Sequence, residues 1–123
     1  MKVFCYITSL VFISLVQQVS AQRIIYSEPD RDDSRRMNFE VIGKVSGNFL
    51  VYKGVKSKNY IAVYDNDMKQ IGKEELEFMP EDRLINVDFF PYSDFSYVIY
   101  EYQRRNVVYC DAVKVNGLGK KNG

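Results

Sequence analysis

Carboxylates and tyrosines are the side chains of this sequence whose types and spacing could do chemistry. There is no histidine among the 123 residues. That removes Ser-His-Asp and Cys-His nucleophile activation and nearly every ordinary zinc site. Gly43, Gly47 and Gly54 are scattered without the lysine-serine closure of a phosphate loop. What remains is paired-carboxylate chemistry of the glycoside-hydrolysis kind, with Glu40, Asp65, Asp88, Glu101 and Asp111 as the acids on or beside strands. None of them is assigned a catalytic role. Asp88 stands out because strand alternation in Ile85-Asn86-Val87-Asp88-Phe89-Phe90 places Asn86 and Asp88 opposite Val87 and Phe89. The plainer alternative is an ordinary solvent-facing strand residue.

The tyrosines offer binding chemistry. Tyr92, Tyr97, Tyr100, Tyr102 and Tyr109 crowd one segment, and exposed aromatic faces can stack on sugars or on peptide side chains. Tyr97, Tyr102 and Asp88 are therefore the ligand-binding candidates, with strand packing as the competing account of each tyrosine. No cofactor or metal is implied. Glu28, Asp30, Asp32 and Asp33 lack the calcium-loop spacing, and Arg31 stands among them with Arg35 and Arg36 just after.

The N-terminus speaks to location. Lys2, the apolar run Val3 to Val16, and small residues leading to Ala21-Gln22 read as a secretory signal peptide over residues 1–21, a cleaved N-terminal helix. The run is shorter than the roughly 20 residues a bilayer span requires, so no integral span is expected after cleavage. Removing residues 1–21 takes one lysine from the 17 basic residues and leaves them equal to the 16 acidic ones. A balanced chain has no electrostatic footprint for nucleic acid and no polybasic patch for anionic lipid. Cys5 leaves with the signal, so Cys110 is alone, and its apolar neighbours predict that it packs as a small hydrophobe within a strand.

Positioning these groups falls to β structure. The 10 Tyr and 8 Phe favour strands. Residues 22–37, containing the charged stretch Ser27 to Arg36, read as a solvated leader, and residues 38–123 as one β domain. Strands are predicted at Phe39–Val45, Phe49–Val55, Tyr60–Tyr64, a fourth drawing on Met68, Ile71, Leu76 and Phe78, then Leu84–Phe90, Phe95–Tyr102 and Val107–Val115. A helical turn at Glu74-Glu75-Leu76-Glu77 is the alternative for the fourth. Turn chemistry separates them at Ser46-Gly47-Asn48, Asp65-Asn66-Asp67, Gln103 to Asn106 and Asn116-Gly117.

The pattern repeats. Asn59 and Asn106 lie 47 residues apart, as do Gly72-Lys73 and Gly119-Lys120, and Phe49 to Tyr52 matches Tyr97 to Tyr100. A period in the forties with about four strands is the mark of a β-propeller blade. Ile61-Ala62-Val63-Tyr64 running into Asp65-Asn66-Asp67 resembles the third-strand hairpin of such blades. With Ala21-Gln22 closing the signal, the chain looks like the N-terminal part of secreted, uncharacterised β-propeller-like proteins of Bacteroidota. The resemblance implies an all-β fold of two blade-like antiparallel meanders, about 38–83 and 84–123. A ring takes typically 4 to 8 blades. The expectation is thus either a truncated propeller, with Asn116 opening a hairpin that stops unpaired, or a small β-sandwich.

Three functions are compatible with these features. The first is an exported, non-enzymatic module binding a protein or glycan, at the periplasm, cell surface or outside the cell. The others are the N-terminal part of a carbohydrate-active or peptidase-associated propeller enzyme and a structural cell-envelope domain. Exposed sheet faces would also favour self-association. N-terminal sequencing of the exported protein should begin Gln22-Arg23-Ile24; a sequence beginning at Met1 would refute cleavage.

Overall fold

A computed structural model describes Ile24, Tyr26 and residues 37–123. The expected signal peptide, its expected Ala21-Gln22 cleavage site and nearly all of the expected leader lie outside the described residues. The protein is all-β, with seven strands in chain order: β1 (Met37–Val45), β2 (Asn48–Val55), β3 (Lys58–Tyr64), β4 (Gln70–Glu75), β5 (Arg83–Pro91), β6 (Phe95–Arg104) and β7 (Val107–Asn116). They form two antiparallel meanders, β1-β2-β3-β4 and β5-β6-β7. This arrangement fits both blade-like units and a small sandwich.

Each meander follows from alternation joined to tight turns. In β2 and β3, Leu50 faces Val63 and Tyr52 faces Ile61 across the pair. In β6 and β5, Val98 faces Phe89 and Tyr100 faces Val87. These residues make the inner faces of the two sheets, and they meet in one cluster with Val45 and Val115. Tyr52 and Phe89 touch across it, with ring centroids 5.1 Å apart. Leu50, Ile61, Val98 and Val115 are completely buried, and each contributes roughly 1.5–3 kcal/mol by leaving water. Leu76 and Met79, in the segment between β4 and β5, close one end of this core. Among the described residues no buried side-chain nitrogen or oxygen lacks a partner.

Three turns meet at the other end. Ser46 N donates to Ser93 O at 2.7 Å, and Asn48 Nδ2 donates to Gly117 O at 3.1 Å. Gly117 is required by this closeness, since a Cβ there would lie 2.6 Å from the Ser46 Cβ. Ser46 and Gly47 both have positive φ, 49° and 83°, as a two-residue hairpin turn matching the strand twist demands.

The two meanders carry matching features, although not at the residues that the sequence spacing aligns. Leu50 and Tyr52 correspond to Val98 and Tyr100, each on the inner face of a second strand. The two-residue turns Lys56-Ser57 and Arg105-Asn106 correspond, each with positive φ at its first residue, 58° and 56°. Asn59 and Asn106 do not correspond: Asn59 lies within β3 and Asn106 in a turn. Gly72 likewise lies in β4, whereas Gly119 precedes the matching position. The strands of the second hairpin have 10 residues each against 8 and 7 in the first, which stretches the offset.

The next loop is duplicated bond for bond. Asp65 Oδ1 accepts from the backbone N–H of Asp67 and of Lys69, both at 2.9 Å. Asn116 Oδ1 accepts from Leu118 at 2.9 Å and Lys120 at 3.1 Å. Asp65 N donates to Lys69 O, and Asn116 N to Lys120 O. The fourth residue of each loop has positive φ, 59° at Met68 and 75° at Gly119. Gly119 also sits against the core, where a Cβ would approach Ile61 Cγ2 to 2.9 Å.

Two expectations change here. The Asn116 hairpin does not end unpaired: Lys121 bridges Val115, and Asn122 N donates to Lys114 O at 2.7 Å. The fourth strand is Gln70–Glu75, without Met68, Leu76 or Phe78. Met68 is spent on the loop, and Leu76 turns inward after its N–H bonds Asn59 O.

Because one side chain holds each loop through two backbone bonds, Asp65→Ala and Asn116→Ala should each lower stability by about 1–2 kcal/mol. Asp65→Asn should cost much less. Urea unfolding of the three variants checks this, and a neutral Asn116→Ala would show that the second loop does not support its sheet.

Candidate functional site

The sequence candidates divide between two faces of the second sheet. Tyr97 and Asp88 lie on its outward face, where Tyr97 pairs with Phe90 and Lys114, and Asp88 with Ile99. Tyr102 pairs with Leu84 and Tyr109 on the opposite, inner face. The three do not converge on one ligand.

The outward face carries an aromatic cluster at the β5–β6 turn. Pro91 ends β5, and the chain reverses through Tyr92 to Phe95, with Tyr92 N donating to Phe95 O at 2.7 Å. This turn stacks the Tyr92 and Phe95 rings at 4.8 Å, and Tyr97 stands edge-on to both, 6.0 and 5.3 Å away. Such edge-to-face contacts suit the ring quadrupoles and hold the cluster in one shape. Lys114, from β7, places its ammonium 3.9 Å from the Phe95 centroid. Tyr92 is 52 %, Phe90 48 % and Tyr97 40 % exposed. One register step along, Asn86 Nδ2 donates to Asp88 Oδ2 at 2.8 Å, which orients the carboxylate. The arrangement offers apolar rings, a cation and an oriented acid on one surface. Sequence reasoning found Tyr97 and Asp88 but missed Phe90, Phe95 and Lys114. Their spacing along β5, β6 and β7 becomes neighbourhood only through the register.

On the inner face, tyrosines make a ladder running out of the core. Tyr100 and Tyr102 stack at 6.1 Å, and Tyr102 and Tyr109 at 5.2 Å, from a buried ring to a partly exposed one. Tyr100 Oη donates to Phe78 O at 3.2 Å, tying the ladder to the segment that closes the core. Arg104 lies over Tyr102 and donates through Nε and Nη2 to Asp82 Oδ2, at 3.1 and 2.7 Å. Packing accounts for each of these contacts. Tyr52 occupies the corresponding place in the first sheet, its hydroxyl 2.6 Å from Asn59 Oδ1. A cleft of about 350 Å³ opens beside it, lined by Asn38, Lys56, Asn59 and Asn86 among others.

The acids are dispersed. Glu101 is on the outward face with Asp88, Asp111 on the inner face beside Tyr102, and Asp65 is engaged in its loop. No group of three or more metal-ligating side chains occurs among the described residues. Cys110 is exposed on β7, contrary to the expectation of a packed thiol. The cause is that β7 ends its sheet, so apolar neighbours in sequence do not become neighbours in space. Among the described residues no helix is long and apolar enough to cross a membrane. Comparison of the chain with protein families, curated proteins and solved structures finds no match.

Burial, aided by Glu40, raises the Tyr52 phenol above the ordinary 10.0. Burial, aided by Asp111, does the same for Tyr100 and Tyr102. In the unfolded chain these phenols ionise near the ordinary value, whereas in the folded chain they hold their protons to higher pH. Their contribution to stability is therefore complete below pH 10 and lost as pH rises through the folded values. Denaturant midpoints should fall across that alkaline window, and Tyr102→Phe should flatten part of the fall. A midpoint independent of pH there would contradict the cause given.

Proposed function

We propose that the chain is an exported, non-enzymatic binding module that engages a glycan or protein partner through the aromatic cluster of its second sheet. The observation that carries this reading is the grouping of Tyr92, Phe95, Tyr97 and Phe90 on one outward face, with large parts of the first, third and fourth rings exposed. Contiguous exposed apolar surface rimmed by polar groups marks interaction sites. Aromatic rings carry much of the energy at such sites at low entropic cost, because few torsions are frozen on binding. The rings here are already held by one another, which lowers that cost further.

Each neighbour has a part in the proposed contact. Tyr92 and Tyr97 present ring faces and hydroxyls, suited to the mixed apolar and hydroxylated surface of a sugar or to a peptide side chain. Lys114 and Asp88 flank them with opposite charges that fix orientation. Export, expected from the N-terminal residues, puts this surface among extracellular or envelope partners. The resemblance to secreted propeller-like proteins supports the same setting.

The test is a glycan microarray and a binding titration on its best hit, with envelope proteins as the parallel arm. Tyr97→Ala should weaken binding about tenfold or more, as expected for an aromatic anchor. Tyr102→Phe, on the opposite face, should leave it unchanged. Equal binding by Tyr97→Ala, or turnover of the bound glycan by the purified chain, would overturn the reading.

A further inference from the structure

The two sheets treat the same edge differently. In the first sheet the edge of β3 is filled by β4 over its length, from Tyr64 opposite Gln70 to Tyr60 opposite Glu75. In the second, among the described residues, the matching edge of β7 is met only at one end, by Lys121 at Val115 and Asn122 at Lys114. The Lys114 carbonyl faces this edge, because it accepts from Asn122 N. Outward-facing groups recur at every second residue of a strand, so the N–H and C=O of Val108, Cys110 and Ala112 also point to the open edge. The side chains there are exposed: Val107 by 51 %, Val108 by 58 % and Tyr109 by 43 %.

Open edges are usually guarded by charge, proline or a bulge. One edge strand of the first sheet, β4, carries Lys73, Glu74 and Glu75. β7 runs Val107-Val108-Tyr109-Cys110 without a charge, and its register against β6 shows no bulge.

We propose that this edge pairs with the same edge of a second copy, antiparallel, about a twofold axis at Cys110. The self-complementarity of the strand selects that occupant. In this register Val108 faces Ala112 of the second copy, and Val107 faces Val113. Tyr109 faces Asp111 of the second copy, a phenol donor opposite a carboxylate acceptor, and no like charges meet. All three edge-facing residues find backbone partners at once, whereas an axis at Asp111 would set Val108 against Lys114, already bonded by Asn122, and an axis at Tyr109 would set Ala112 against Asn106 in the hairpin turn. The result is one continuous sheet of six strands through both copies. The pairing is carried by backbone hydrogen bonds and requires no bond between the two Cys110 thiols that meet at the axis. It uses neither Tyr92 nor Tyr97 and is independent of the binding reading above.

Sedimentation of the purified chain over a concentration series tests it, with amide hydrogen exchange at Val108, Cys110 and Ala112. A reversible dimer is expected, with those amides protected in the dimer and exchanging freely on dilution. Val108→Lys and Ala112→Lys should each raise the dissociation constant about tenfold or more. Their unfolding curves should stay near the parent's, since both side chains are exposed and the β6 ladder is untouched. Phe39→Lys, on the outward face of the first sheet, should leave the dimer intact. A chain that stays monomeric would overturn the proposal. So would a dimer broken by Phe39→Lys, or one whose Val108, Cys110 and Ala112 amides remain unprotected.

Discussion

A meander of three or four strands cannot cover its apolar face by itself, and each sheet of this protein buries that face against the other. The contact of Leu50, Tyr52, Ile61 and Val63 with Phe89, Val98 and Val115 is what the rest of the molecule depends on. Sheets of three or four strands depend on a hydrophobic face being covered, and here each covers the other's. Joined, they share one apolar cluster, closed at one end by Leu76 and Met79 and at the other by three interlocked turns. Gly117 shows how tight that second closure is, because even a methyl group there would collide with Ser46.

The same constraint explains where chemistry can reside. Groups facing inward are committed to packing, and their polar ends must find partners within the fold. Tyr52 and Tyr100 meet this demand in equivalent positions, with Asn59 Oδ1 and Phe78 O respectively. Lys53 is buried on the opposite face of the first sheet and donates to the Tyr64 hydroxyl at 3.1 Å. In the second sheet, what is left for an external partner is the outward face and the strand edge. There the aromatic cluster keeps its rings ordered through mutual contact and the Lys114 cation.

Much of the fold was legible in the residues, because alternation and turn chemistry are local signals. The expected turns at Ser46-Gly47-Asn48 and Gln103 to Asn106 are hairpins, tightened to the two residues Ser46-Gly47 and Arg105-Asn106 because the strands extend further into them. The likeness of Phe49 to Tyr52 and Tyr97 to Tyr100 has a counterpart in space, since Leu50, Tyr52, Val98 and Tyr100 all face the core. The finer alignment misled, because identical residues such as Asn59 and Asn106 recur by chance within polar turns. The true equivalents, Lys56 and Arg105, share a backbone conformation and a charge but not an identity. Loop function is likewise conserved between the units through an oxygen at one position, supplied by Asp65 in one and Asn116 in the other.

The candidate site was less legible because it is made by register. Strand alternation places Asp88 outward correctly, but no local pattern says that Tyr97 shares that face while Tyr102 does not. The parity depends on where β6 enters the sheet, and a shift of one residue reverses every side chain. Cys110 shows the same limit: Val107, Val108 and Tyr109 are apolar in sequence and nevertheless exposed, because their strand closes a sheet of three. Burial in a β protein is decided by which strand stands next to which. In this chain that decision lies with pairings such as Tyr97 to Lys114, whose partners are 17 residues apart and joined by nothing periodic.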